Sequence, residues 1–315
     1  MFEPTQRRVD SDLEKSMDLF RRAEVGEVAP LEPIKPQRIL LALDGSAQDA
    51  LSISMTQRLK ARLGCEVTVV DARETGTDQK DLAAEASKQV SGQAIDRAQF
   101  EDQLPAYDRI LLAIEQSQAN LAVAPCPFGR DLECVGADST GTVIDVLLAR
   151  SAVPIIITRG RFDVGVDIFS RVRLILSGEN RTAPLAARWA QGVVAPGGKL
   201  ELMLLVETEF YDNVREALHA LHPEEEIKIG SLETALAKIH ARLHASLQAS
   251  ADQHGFDYEE LIEHEGEEEP FDVDESAGYV VTLAIEARDH ASQSHAHDLI
   301  RRSPHPVLLV PQPAT

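Results

Sequence analysis

Basic residues are scarce in this chain: 31 Lys and Arg stand against 52 Asp and Glu, a formal charge of −21 at pH 7. Nucleic acid is therefore not an expected partner, because phosphate contacts need clustered Lys and Arg. Cysteine is scarce too. Cys65, Cys126 and Cys134 form an odd set that suits a reducing compartment better than a disulfide framework. Long apolar runs are lacking: none approaches the roughly 20 residues of a membrane span, so no membrane partner is expected. The opening Met1-Phe2-Glu3-Pro4 has neither the basic nor the apolar region of a signal peptide. Together these features make the cytoplasm the expected location.

The acidity is uneven. From Ala251 to Glu275 there are twelve Asp or Glu and no Lys or Arg. Such a run fits a solvated face around a strand edge, and it also fits a site for a cation or a basic partner.

What the chain does have is 43% hydrophobic content over 315 residues, enough for two domains that each bury a core. One pattern occurs twice. The stretch Arg38-Ile39-Leu40-Leu41-Ala42-Leu43-Asp44-Gly45-Ser46 has a counterpart in Arg173-Leu174-Ile175-Leu176-Ser177-Gly178-Glu179. The copies end alike as well, in Arg150-Ser151-Ala152-Val153-Pro154-Ile155-Ile156-Ile157 and Arg302-Ser303-Pro304-His305-Pro306-Val307-Leu308-Leu309-Val310. A duplicated α/β domain is the simplest account.

The division that follows is an N-terminal extension over 1–36, a first domain over 37–160 and a second over 161–315. In the extension, Ser11 and Glu14 make a capping box, Leu13, Met17 and Phe20 fall at helical spacing, and Gly26 and Pro30 stop the helix. So short a helix should dock on a partner surface, which could belong to its own first domain or to another subunit.

In the first domain the aliphatic run from Ile39 to Leu43 predicts a strand buried on both faces. A helix to about Leu63 follows, then a strand over 66–70, helices over 82–90 and 107–116, a strand over 121–124, a helix over 143–149 and a closing strand over 155–158. The second domain repeats this order: strand 173–176, helix 183–193, strand 200–206, a long helical insert, strand 258–263, a helix, and strands 279–284 and 307–310. In the insert Leu232, Leu236, Ile239, Leu243 and Leu247 trace an apolar stripe. Strands alternating with helices imply doubly wound parallel sheets.

The Leu43-Asp44-Gly45-Ser46 turn and the Gly141-Thr142-Val143 to Pro154-Ile155 closure resemble those of universal stress protein domains. The second repeat resembles them less closely, and the likeness covers roughly 37–312. The resemblance implies two tandem five-stranded sheets of strand order 3-2-1-4-5, packed face to face as an internal pseudo-dimer. Their closing strands would pair across the pseudo-twofold axis, in a monomer or a homodimer of such units.

Many members of that family bind ATP between the ends of strands one and four, the usual ligand position of an open α/β sheet. Carried over residue by residue, the resemblance makes Asp44, Gly129, Gly141 and Thr142 the candidate nucleotide-binding residues. The fit is incomplete. The family's leading loop glycines fall on Pro125 and Phe128, the loop to Gly141 is longer, and Pro125 and Pro127 have no amide hydrogen to offer a phosphate. In the second repeat Ser177 replaces Asp44 and the Gly-Ser step falls on Gln293-Ser294.

Other constellations lack a supporting pattern. His290, His295 and His297, with Asp289 and Asp298, meet no known ligand spacing, so no metal is expected. Cys126 and Cys134 flank Gly129; they could pair on oxidation, or Cys126 could simply be a small buried residue. His240 and His244 lie four apart without the Glu of a zinc-protease motif and are expected at the surface. No catalytic triad has local context, and no catalytic residue is assigned. Two readings follow from the resemblance: a cytoplasmic, non-enzymatic stress-response module that regulates or interacts with protein partners, or an ATP- or AMP-binding regulatory protein with one site in the first domain.

Overall fold

The aliphatic runs are the strands. The computed structural model describes residues 28–73, 81–101, 103–129, 140–159, 167–178, 180–206, 229–264, 280–285 and 290–312. The first half runs β1 (Arg38–Leu43), α1 (Asp49–Leu63), β2 (Glu66–Asp71), α2 (Leu82–Gln89), β3 (Gln93–Ala94), α3 (Ala106–Ser117), β4 (Leu121–Pro125), α4 (Thr142–Arg150) and β5 (Ile155–Thr158). The second runs β6 (Arg171–Leu176), α5 (Ala183–Val193), β7 (Lys199–Val206), α6 (Ile229–His254), β8 (Asp257–His264), β9 (Val280–Ile285), α7 (His290–Arg302) and β10 (Val307–Pro311).

All these strands form one sheet, in the order β3-β2-β1-β4-β5-β10-β9-β6-β7-β8. Each half therefore has the 3-2-1-4-5 order, parallel throughout, and the halves meet where β5 and β10 pair antiparallel, Leu308 opposite Ile156. The expected pairing of the closing strands is found, but its consequence differs. The halves join edge to edge in a continuous sheet, not face to face, because the backbone ladder itself makes the junction and leaves no strand edge at the seam.

Period-two alternation sorts the core into two layers. Ile39, Leu41 and Leu43 of β1 join Leu308 and Val310 of β10 in one layer, with Met55 and Leu59 of α1 and Ala186 and Ala190 of α5. Leu40 and Ala42 join Val307 and Leu309 in the other, with Ile110 of α3, Leu147 of α4 and Ile300 of α7. Each layer crosses the seam, so the halves share their core. Ile156 and Leu308 are fully buried, and truncating either to Ala should cost about 2–5 kcal/mol.

Local signals set the helix ends. Gly64, left-handed at φ 68°, closes α1 by donating its amide to Lys60 O, and the Asp81 carboxylate caps α2 by accepting from Ala84 N. β3, the fifth strand that the resemblance implies, is not located by the hydrophobic pattern, because it is two exposed residues with no hydrophobic signal. The expected stripe of α6 is also altered. Leu236, Leu243 and Leu247 are buried, but Ile239 is 53% exposed and His240 takes the inward place. The helix expected between β8 and β9, and the one over 11–20, lie outside the described residues.

Candidate functional site

The C-terminal ends of β1 and β4 face one another at the point where the strand order of the first half reverses. Asp44 follows β1 directly and is buried. Its Oδ1 accepts from Ser46 N at 2.8 Å and its Oδ2 from Gly129 N at 2.6 Å. The carboxylate thus spans from the β1 turn to the loop after β4. Gly129 adopts φ 72°, a left-handed turn that glycine enters without steric cost, and this aims its amide at the acid.

Asp49, the first residue of α1, completes the turn. Its two carboxylate oxygens accept from Asp44 N at 3.0 Å and Gly45 N at 2.9 Å. Burial, and then the charge of Asp44, push Asp49 up to about 7. Sequence reasoning missed this residue, although an acid at the first position of a helix is a recognisable signal. Arg73 crosses the same turn: a Cβ at Gly45 would meet its Cδ at 2.9 Å. Its guanidinium makes a bidentate pair with Asp71 at the end of β2, with Nη2 at 2.7 Å from Oδ2.

Gly141 and Thr142 open α4. Gly141 has φ 80° and ψ 150°, a region essentially confined to glycine. Its missing Cβ would stand 4.0 Å from Phe128 N and Pro127 Cβ. The backbone demands glycine here whether or not a nucleotide binds. Thr142 is exposed. The structure therefore brings Asp44 and Gly129 into contact, sets Gly141 against the same loop, and leaves Thr142 at the helix start facing outward.

The described part of the loop after β4 offers few further donors. Pro125 and Pro127 have no amide hydrogen, and Cys126 N donates to Thr158 O at 2.9 Å. The Cys126 thiol is buried and pushed up to about 11, chiefly by that burial, with Arg159 opposing. It is the buried thiol of the simpler reading; Cys134 lies outside the described residues.

The site also touches the second half. Thr140 Oγ1 donates to Asp145 Oδ1 at 2.7 Å, and His297 Nδ1 of α7 lies 3.2 Å from that hydroxyl and 3.3 Å from the Asp145 carboxylate. His297 is thus drawn to a seam contact, and among the described residues no group of three or more His, Cys, Asp or Glu could hold a metal ion. His240 and His244, expected at the surface, are buried. His240 Nε2 lies 2.8 Å from Gly178 O, and His244 Nδ1 lies 3.0 Å from the Tyr258 hydroxyl. Polar partners make an inward histidine tolerable, and periodicity cannot reveal them.

No protein-family model and no curated protein matches the chain. Solved structures do. A universal stress protein from Archaeoglobus fulgidus matches with a TM-score of 0.58 at 17% identity, covering 88% of this chain and 96% of its own. The chain has a tandem universal stress protein fold. A putative universal stress protein from Pseudomonas aeruginosa UCBPP-PA14 covers 88% of this chain and 93% of its own at 12% identity, TM-score 0.53. A functionally unknown protein from Pseudomonas aeruginosa PAO1 matches at 12% identity, with 88% and 92% covered and a TM-score of 0.53. The resemblance read from the Asp-Gly-Ser and Gly-Thr-Val stretches is borne out at the level of the fold.

Within the universal stress protein fold the corresponding end of the second half is built differently. Ser177 and Gly178 follow β6, and Asn180 bridges the turn: its Nδ2 donates to Ala284 O at 3.2 Å and its Oδ1 accepts from Thr182 N at 2.8 Å. An amide does there the bridging that a carboxylate does in the first half. No helix of the described residues is long and apolar enough to cross a membrane.

Proposed function

We propose that this chain is a non-catalytic stress-response module of the cytoplasm that acts by binding other proteins, and that its first-half nucleotide cradle is closed by its own carboxylate. The observation that carries this reading is the 2.6 Å hydrogen bond from Gly129 N to Asp44. A phosphate cradle works by aiming unpaired backbone amides at an anion. Over residues 125–129 the two prolines offer none, the Cys126 amide is held by Thr158 and the Gly129 amide is held by an acid, so Phe128 supplies the one remaining amide of this stretch. That acid would also repel an incoming phosphate at close range.

A second reading has its own support. Asp44 at the end of β1 and Gly141-Thr142 at the start of α4 hold the positions that adenine-nucleotide-binding members of the fold use, so an ATP- or AMP-responsive regulatory module would need only the Gly129 contact to open. Mass analysis of small molecules released from freshly purified protein separates the two. The first reading expects no stoichiometric adenine nucleotide. About one per chain would establish the second.

A further inference from the structure

Residues 28–36 precede β1, yet they dock on the second half. The segment reads Val28-Ala29-Pro30-Leu31-Glu32-Pro33-Ile34-Lys35-Pro36, with prolines three apart. Exposure follows the same period: Ala29, Glu32 and Lys35 face solvent, while the residues between them are half-buried or, at Pro36, buried. Three residues per turn is the repeat of the polyproline II helix. Each proline fixes its own φ and steers the preceding residue to extended backbone, so the segment is ordered before it binds.

The receiving surface is the groove between α5 and α6. Leu31 N donates to the Ser250 hydroxyl at 2.8 Å, and that hydroxyl donates its own proton to Ser246 O at 2.7 Å. Ile34 N donates to Arg188 O at 2.9 Å, and Arg188 Nε donates to Glu32 O at 2.9 Å. Leu31 and Ile34 pack against the core layer that holds Trp189, Leu247 and Ala251. The floor is Gly192. A Cβ there would fall 1.7 Å from Ile34 O, so the close approach requires glycine inside a helix, where it is otherwise unfavourable.

We propose that the α5–α6 groove of the second half is a binding site for a proline-rich extended peptide of the form Pro-Leu-x-Pro-Ile-x-Pro, and that residues 30–36 are its resident ligand. The elements shared with polyproline recognition are a segment pre-ordered by its prolines and apolar residues at fixed spacing, to which the groove adds partners for the Leu31 and Ile34 amides. The site is separate from the Asp44 turn and stands whether or not nucleotide binds there.

The test uses the full chain with Leu31→Asp and Ile34→Asp, which expel the resident segment, and a fluorescent peptide of residues 28–37. The variant should bind the peptide saturably, at least about tenfold more tightly than the wild type, where the tethered segment competes at high effective concentration. Adding Gly192→Leu should abolish that binding. Trp189, the single tryptophan, reports groove occupancy by its emission, and circular dichroism confirms the fold; Leu31→Ala with Ile34→Ala replaces the Asp pair if that pair does not fold. Absence of saturable binding by a folded variant, or binding that survives Gly192→Leu, would overturn the proposal. A wild-type dimer dissociated by the Asp pair would overturn the intrachain assignment by placing the segment in a second copy.

Discussion

Asp44 and Gly129 stand 85 residues apart in sequence and meet at 2.6 Å, carboxylate to backbone amide. The contact ties the end of β1 to the loop after β4 and occupies the Gly129 amide. A charge-assisted bond of this kind contributes about 1.5–3 kcal/mol, enough to hold the loop in one arrangement.

Asp44 also adds to the effect of burial on the proton affinity of its neighbour. Burial and then the Asp44 charge raise Asp49 from 3.8 to about 7. Between these values the folded protein holds a proton that the unfolded chain has released, so this contribution to stability is complete below the lower value and is lost as pH rises through about 7. In Asp44→Asn the Asp49 midpoint should move down, followed by carboxyl NMR titration. An unmoved midpoint would show that burial alone sets it.

Glu201 lies wholly buried on β7 between Arg171 and Arg173 of β6. Burial opposes its ionisation, but the two guanidinium groups outweigh burial and hold its carboxyl below the usual range. The contribution is therefore present above the ordinary value of 4.5 and is lost as pH falls through the lowered one. Glu201→Gln should cost about 3–5 kcal/mol at pH 7, since it leaves the buried Arg173 uncompensated. Urea denaturation measures this, and a midpoint equal to the wild type's would refute it.

Arg62 fastens α1 to the second half. Its guanidinium lies 4.3 Å from the Phe169 ring centroid and donates to Val193 O at the end of α5. Arg62→Ala should destabilise by about 1–2 kcal/mol, and Arg62→Lys should recover only part, because an ammonium lacks the planar stacking face. Full recovery by lysine in thermal denaturation would reduce the contact to simple charge.

The strands were legible because β1, β4, β5 and β10 are aliphatic runs buried on both faces, a signal that survives without knowledge of neighbours. The seam was legible for the same reason: an aliphatic closing strand needs a partner, and Ile156 found Leu308. What escaped depends on contacts distant in sequence. His240 turns inward because Gly178 O, 62 residues away, accepts it, and Ile239 is displaced to solvent. The candidate site was half legible. Asp44 and Gly141 could be placed from local pattern, but nothing local says that the Gly129 amide is taken by Asp44. Pro30 was visible only as part of a helix stop, and Pro33 and Pro36 received no reading at all, since the docking of this segment on α5 and α6 is a tertiary event.

The most direct measurement is calorimetric titration of the nucleotide-stripped protein with ATP and Mg²⁺. A cradle closed by Asp44 predicts no saturable heat. Saturable binding near one ATP per chain would contradict it, and would mean that the Asp44–Gly129 contact opens to admit a phosphate.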